Sequence, residues 1–173
     1  VGNESTPKIH SPCHLFRNEG DGTFVDIASE AGVENLGYTK GVSFGDYDGD
    51  GLADLFVSNL ASENRLYHNL GDNKFENVAP KLKMEEPIAS FPTWFWDYDN
   101  DGKLDLFVAA YSTGVGHVAG HHLGIKVADS NYDYMKLWQG DGQGGFTNVA
   151  KKMGLNYPAL PMGANFGDLD NDG

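Results

Sequence analysis

Disulfides, long apolar runs and excess positive charge are all missing from this chain, and each absence narrows what it can be. Cys13 is the single cysteine among 173 residues, so no disulfide closes within the sequence. No apolar run approaches the ~20 residues of a membrane-spanning helix, and no signal-peptide pattern is present. Lys and Arg total 12 against 25 Asp and Glu, a net charge of −13. That balance excludes a nucleic-acid partner, because phosphate binding needs a basic surface. The sequence also lacks Gly-x-Ser-x-Gly, His-Glu-x-x-His and a phosphate-binding glycine loop with its lysine, so no catalytic set emerges. Disorder is excluded in turn, since hydrophobic residues make up 40% and aromatics 12%.

What is present is aspartate, and its placement is telling. Of 17 aspartates, 11 fall within the short segments 46–54, 97–105 and 168–172. A merely solubilising surface would spread its charge and use more glutamate. Concentrated carboxylates point instead to cation sites.

Two motifs alternate along the chain. The first reads Asp46-Tyr-Asp48-Gly-Asp50-Gly51-Leu52-Ala-Asp54, then Asp97-Tyr-Asp99-Asn-Asp101-Gly102-Lys103-Leu-Asp105, then Asp168-Leu-Asp170-Asn-Asp172-Gly173. The second runs from an apolar pair through a glycine-rich turn to phenylalanine: Leu15-Phe16 to Phe24, Leu66-Tyr67 to Phe75, and Leu137-Trp138 to Phe146. From Leu15 to Asp46, Leu66 to Asp97 and Leu137 to Asp168 the offset is 31 each time. The repeat is therefore about 51 residues, and a 20-residue insertion separates Asp105 from Leu137. Periods of this size belong to propellers and solenoids.

Within a repeat the pattern reads as four strands. Leu55-Phe-Val57 and Leu106-Phe-Val108 are short apolar runs suited to buried strands. Leu66-Tyr-His68 and Phe75-Glu-Asn-Val78 flank a Leu-Gly-Asp-Asn turn, and Gly41 to Phe44, Thr93 to Trp96 and Gly163 to Phe166 precede the loops. Four strands in about 50 residues make one propeller blade. The expected architecture is an all-β partial propeller filling 1–173 as one domain. It comprises the end of one blade (10–32), a complete blade (36–85), a second with its insertion at about 111–132 (88–155), and the start of another (160–173). Short helical turns are expected at 28–31 and 149–153. Because Val1 is not methionine and the third loop stops short of its last aspartate, the sequence is expected to be part of a longer protein.

In each complete loop carboxylates stand at positions 1, 3, 5 and 9, with glycine at position 6 where a sharp turn is easiest. Asp46, Asp48, Asp50 and Asp54, with the carbonyl of Leu52, form one expected ligand set. Asp97, Asp99, Asp101 and Asp105, with the carbonyl of Lys103, form the second, and Asp168, Asp170 and Asp172 begin a third. Such hard oxygen shells suit Ca²⁺, with Mg²⁺ second. Turn chemistry alone would also favour Asp and Gly. Against that, two carboxylates about 5 Å apart repel by roughly 3 kcal/mol at an effective dielectric near 20, and Lys103 is the only basic residue inside either complete loop. An EF-hand is ruled out, because position 12 is Val57 or Val108 rather than glutamate.

The pairing of Asp-x-Asp-x-Asp-Gly-x-x-Asp-Leu with Leu-Tyr-x-Asn-x-Gly-x-Gly-x-Phe resembles the FG-GAP/VCBS repeats of integrin α-subunit propellers and of secreted ASPIC/UnbV (cartilage acidic protein) types. Phe44-Gly45 and Phe166-Gly167 carry the Phe-Gly element, while the middle repeat departs from it with Phe95-Trp96. The resemblance implies a seven-bladed propeller with calcium in hairpin loops, in an extracellular or periplasmic setting. It also implies adhesion or protein recognition, with a protein partner, or other segments or chains completing the ring; a glycan is a further candidate ligand.

Three other features lie outside the aspartate ligand sets. His117, His121 and His122 sit in the insertion and could ligate Zn²⁺ or Cu²⁺, but a flexible glycine-rich surface loop is the favoured reading; such a loop is also where recognition would be placed. Trp94, Trp96 and Trp138 are expected in the core rather than on a sugar platform, and Tyr47 and Tyr98 against neighbouring blades. The expected function is an extracellular calcium-stabilised binding or assembly module, not an enzyme. The alternative is the propeller domain of a polysaccharide-active or other enzyme whose site lies in other blades.

Overall fold

A computed structural model describes residues 1–6, 8–111, 114–125, 134–164 and 167. Strands β1 (Phe16–Asn18) and β2 (Phe24–Asp26) form a hairpin, followed by the short helix α1 (Ala28–Ala31). Strands β3 (Tyr38–Gly45), β4 (Asp54–Leu60), β5 (Arg65–Asn69) and β6 (Phe75–Asn77) form an antiparallel meander that ends in helix α2 (Ala79–Leu82). A second meander contains β7 (Ser90–Trp96), β8 (Asp105–Ala110), β9 (Lys136–Gly140) and β10 (Phe146–Asn148), with helix α3 (Val115–His122) between β8 and β9.

The apolar runs explain the stacking. Strand β4 is buried on both faces, and its side chains alternate as the strand period demands. Phe56 points into the core between the two four-stranded sheets, with Leu66, Leu106, Val108 and Trp138. Leu55 and Val57 point the other way, onto Ile27, Ala28, Ala31 and Val33 behind the β1–β2 hairpin. Strand β8 repeats the scheme: Phe107 and Ala109 face a third cluster containing Leu137, Val149 and Ala150, with Leu155 and Tyr157 packed against it. The β1–β2 unit, the first sheet, the second sheet and residues 155–159 therefore lie in sequence, each packed on the next. Fully burying one such aliphatic or aromatic side chain contributes roughly 1.5–3 kcal/mol.

Polar contacts fix the two sheets to each other along β3 and β7. Phe95 N donates to Ser43 Oγ at 3.1 Å, and Ser58 Oγ donates to Phe91 O at 2.5 Å. Buried Asn35, Thr39, Asn59 and Asn64 satisfy one another, and Asn64 reaches across to Pro87 O at 3.1 Å. Such a network is favourable only when each member is paired.

Most expected elements appear where the pattern puts them. Helix α1 occupies 28–31, and the turn after Val149 is closed by Met153 N donating to Val149 O at 3.0 Å. Helix α2 is the same element in the middle repeat, which the sequence reading had not assigned. The insertion is a correction. Instead of a glycine-rich loop, its described part forms the helix Val115–His122, whose last turn is tied down by His121 stacked on Tyr157 (centroids 5.9 Å apart) despite two internal glycines. Trp138 is buried between the sheets, and Trp94 and Trp96 are half-buried against Phe107. Tyr47 packs on Phe146 of the next sheet at 5.3 Å. Tyr98 meets Trp96 of its own sheet at 6.2 Å.

Candidate metal centres

The register places each aspartate loop at the same point of its sheet. Gly45 pairs with Asp54 across β3 and β4, and Trp96 pairs with Asp105 across β7 and β8, so 46–53 and 97–104 are the connections of equivalent hairpins. Each loop is wound by its own carboxylates. Asp46 accepts from the N–H groups of Gly49 (2.8 Å), Asp50 (3.1 Å) and Gly51 (3.0 Å), and Asp50 accepts from Leu52 N at 2.8 Å. In the second loop Asp97 accepts from Asp101 N (3.0 Å) and Gly102 N (2.7 Å), and Asp101 from Lys103 N (3.0 Å). Gly51 and Gly102 have φ of +87° and +83°, a left-handed conformation that glycine adopts without steric cost.

This winding brings two trios together. Asp46, Asp48 and Asp50 each offer an oxygen within 4.8 Å of the others, and so do Asp97, Asp99 and Asp101. At that separation each pair of charges repels by about 3 kcal/mol at an effective dielectric of 20. The donors are hard oxygens on a turn, the ligand type that Ca²⁺ takes.

The ninth-position aspartates have a different place. Asp54 and Asp105 are fully buried. Asp54 accepts from Tyr47 N (3.2 Å) and Asn69 N (2.8 Å), and Asp105 from Tyr98 N (2.9 Å) and Gly140 N (2.8 Å). Each therefore ties the start of its loop to the end of the neighbouring strand. Burial pushes both carboxyls above the ordinary aspartate range, partly offset by those N–H donors. Asp54 groups with Asp48 and His68; among the described residues Asp105 joins no trio. Lys103 Nζ lies 2.7 Å from Asp101 and holds that carboxyl below its usual range. Asp168, Asp170 and Asp172 lie outside the described residues.

Two residues that sequence reasoning passed over complete the loops. His68 Nδ1 stands 3.3 Å from Asp48 and 3.2 Å from Asp54, so Lys103 is not the only basic side chain at these sites. Gln139 Nε2 donates to Asp99 at 2.6 Å. Each stands two residues beyond the repeat's leucine, Leu66 or Leu137, and superposing the repeats would have found them.

The comparisons with known proteins agree with the repeat. The family model described as FG-GAP-like repeat matches residues 10–57, 46–108 and 97–173. The chain is 38% identical over 103 residues to cartilage acidic protein 1 of Homo sapiens, covering 57% of this chain and 15% of that protein. It is 37% identical over 103 residues to the protein of the same name from Xenopus tropicalis, covering 57% of this chain and 16% of that one. The match thus spans about a sixth of these relatives' length.

Proposed function

The chain belongs to the FG-GAP-like repeat family, and from that premise we propose that it is a calcium-stabilised stretch of an extracellular β-propeller whose role is protein binding, adhesion or assembly rather than catalysis. The observation that carries this reading is the equivalence of the two loops: two carboxylate trios, each at the same hairpin of its own four-stranded sheet. Asp46, Asp48 and Asp50 hold one ion and Asp97, Asp99 and Asp101 the other, with the carbonyls of Leu52 and Lys103 and the carboxylates of Asp54 and Asp105 assigned as further ligands. Asp168, Asp170 and Asp172 belong to a third loop of the same kind. Bound calcium neutralises carboxylates that otherwise repel, and so locks the first and second strands of each blade. The successive stacking of the sheets supports the propeller, whose blades would follow in the same order. Phe16, Phe24, Val42 and Phe44 expose apolar surface, which suits a preceding blade supplied by another segment or chain.

Thermal unfolding in EDTA, then with Ca²⁺ or Mg²⁺, tests the assignment. At 100-fold excess over Kd each site adds about 2.7 kcal/mol. In a chain of this size that raises Tm by on the order of 5–10 °C per site. A calcium-selective rise is expected, reduced by Asp46→Asn and again by Asp97→Asn. Equal Tm in EDTA and in millimolar calcium would remove the calcium reading.

A further inference from the structure

The two loops match in their carboxylate trios and differ at the neighbouring strand, where one repeat has His68 and the other Gln139. His68 Nδ1 is almost equidistant from Asp48 Oδ2 (3.3 Å) and Asp54 Oδ1 (3.2 Å). Charge-assisted hydrogen bonds between such groups are shorter, about 2.7–2.9 Å. The same molecule holds a pair of that kind, His14 Nδ1 with Asp26 at 2.5 Å. A single imidazole N–H shared between two acceptors makes a three-centre bond in which neither contact is linear, and here the contact with Asp54 is the one with hydrogen-bond geometry. In a tetrahedral zinc site with bonds of about 2.0–2.1 Å, neighbouring donors stand about 3.3 Å apart, the spacing of both imidazole–carboxylate pairs here, and the three ligand atoms all lie within 4.8 Å of one another.

From this geometry we infer that Asp48, Asp54 and His68 form a zinc site, distinct in chemistry from the oxygen-only calcium trios and present in the first of the two described loops. The donors are held in place before any ion arrives. Asp54 is fully buried and fixed by the N–H groups of Tyr47 and Asn69. Asp48 accepts from Asp50 N at 3.3 Å through Oδ1, which leaves Oδ2 toward the imidazole. Hydrogen bonds of this supporting kind orient metal ligands and raise affinity by 10- to 100-fold. An imidazole nitrogen with two carboxylates selects zinc-class ions over calcium, which takes oxygen donors. The second loop has no counterpart, because Gln139 presents its amide nitrogen to Asp99 at 2.6 Å, and an amide N–H₂ is a donor without a free lone pair. With three protein donors, the fourth position is left to water. Since Asp48 and Asp54 are also assigned to calcium, the two ions compete at the first loop.

The test is a titration of the EDTA-treated, chelator-free protein with Zn²⁺ against a chromophoric chelator. Wild type is expected to hold one more tight equivalent than His68→Gln, which carries the residue of the second loop, and Asp97→Asn is expected to match wild type. Co²⁺ in place of Zn²⁺ should give wild type the intense visible bands of a tetrahedral ion with nitrogen ligation, a readout that does not depend on any variant folding. Equal zinc stoichiometry and affinity in wild type and His68→Gln, or only the weak bands of octahedral Co²⁺ in wild type, would overturn the assignment. The calcium-dependent rise in Tm of His68→Gln reports separately that the fold and the calcium trios are intact, so failure of the zinc site and failure of the calcium reading are told apart.

Discussion

A Cβ placed on Gly45 would lie 2.8 Å from Cγ of Phe95 and 2.9 Å from Cδ1 of Leu104, both in the next repeat. The glycine of the Phe-Gly element is therefore a packing requirement, since it lets β3 approach the following sheet. Gly51 and Gly102 show the opposite case: nothing stands within 4 Å of a Cβ there, yet their positive φ keeps them glycine. Gly45→Ala is expected to cost about 1–3 kcal/mol by overpacking, read as a lower midpoint in chemical denaturation at saturating calcium. An unchanged midpoint would mean that Phe95 and Leu104 yield freely. The Gly45 requirement was invisible in the sequence, because the crowding atoms stand some fifty residues further along the chain.

At the scale of elements, the hairpin from β9 to β10 shows how these turns are held. Asp141 accepts from Gln143 N and Gly145 N, both at 2.8 Å, while its own N–H donates to Gly145 O at 3.0 Å. Those N–H groups hold its carboxyl below the usual value of 3.8. A folded-state value below the unfolded one adds stability above the unfolded value, and that stability is lost as pH falls through the folded one. Asp141 is exposed, so water screens the effect to at most a few tenths of a kcal/mol. Carboxyl NMR titration should place its midpoint below 3.8, and Asp141→Asn should remove the matching acid-side slope in stability while keeping the turn. A midpoint at or above that value would show that the two N–H bonds do not persist in solution. The turn itself was legible from Asp-Gly-Gln-Gly-Gly, whereas helix α3 was not: its glycines mask a helix whose contact with Tyr157 lies over thirty residues away.

At the scale of the molecule, one apolar cluster serves both four-stranded sheets, with Phe56 and Leu66 from the first and Leu106, Val108 and Trp138 from the second. Neither sheet buries these faces alone, which makes their unfolding cooperative. Leu106→Ala is expected to cost about 2–5 kcal/mol. Hydrogen exchange should speed up together in β4 and β8, with one transition seen by probes in either sheet. Two separate transitions would mean that the sheets fold independently and that the shared cluster contributes little.

The sequence by itself determined the repeat, the four-strand pattern of each sheet, the position of the loops and the carboxylate trios. Those features depend on residues a few positions apart, where period-two alternation and the reach of an aspartate to its own turn decide the outcome. Only the tertiary structure decided which cluster each strand residue enters, that Asp54 and Asp105 are buried ties between neighbouring strands, and that His68 stands between Asp48 and Asp54. These contacts arise from strand register and sheet stacking, which join residues from 7 to 35 positions apart. Superposing the repeats aligns His68 with Gln139, but the geometry that selects each partner exists only once the sheets have packed.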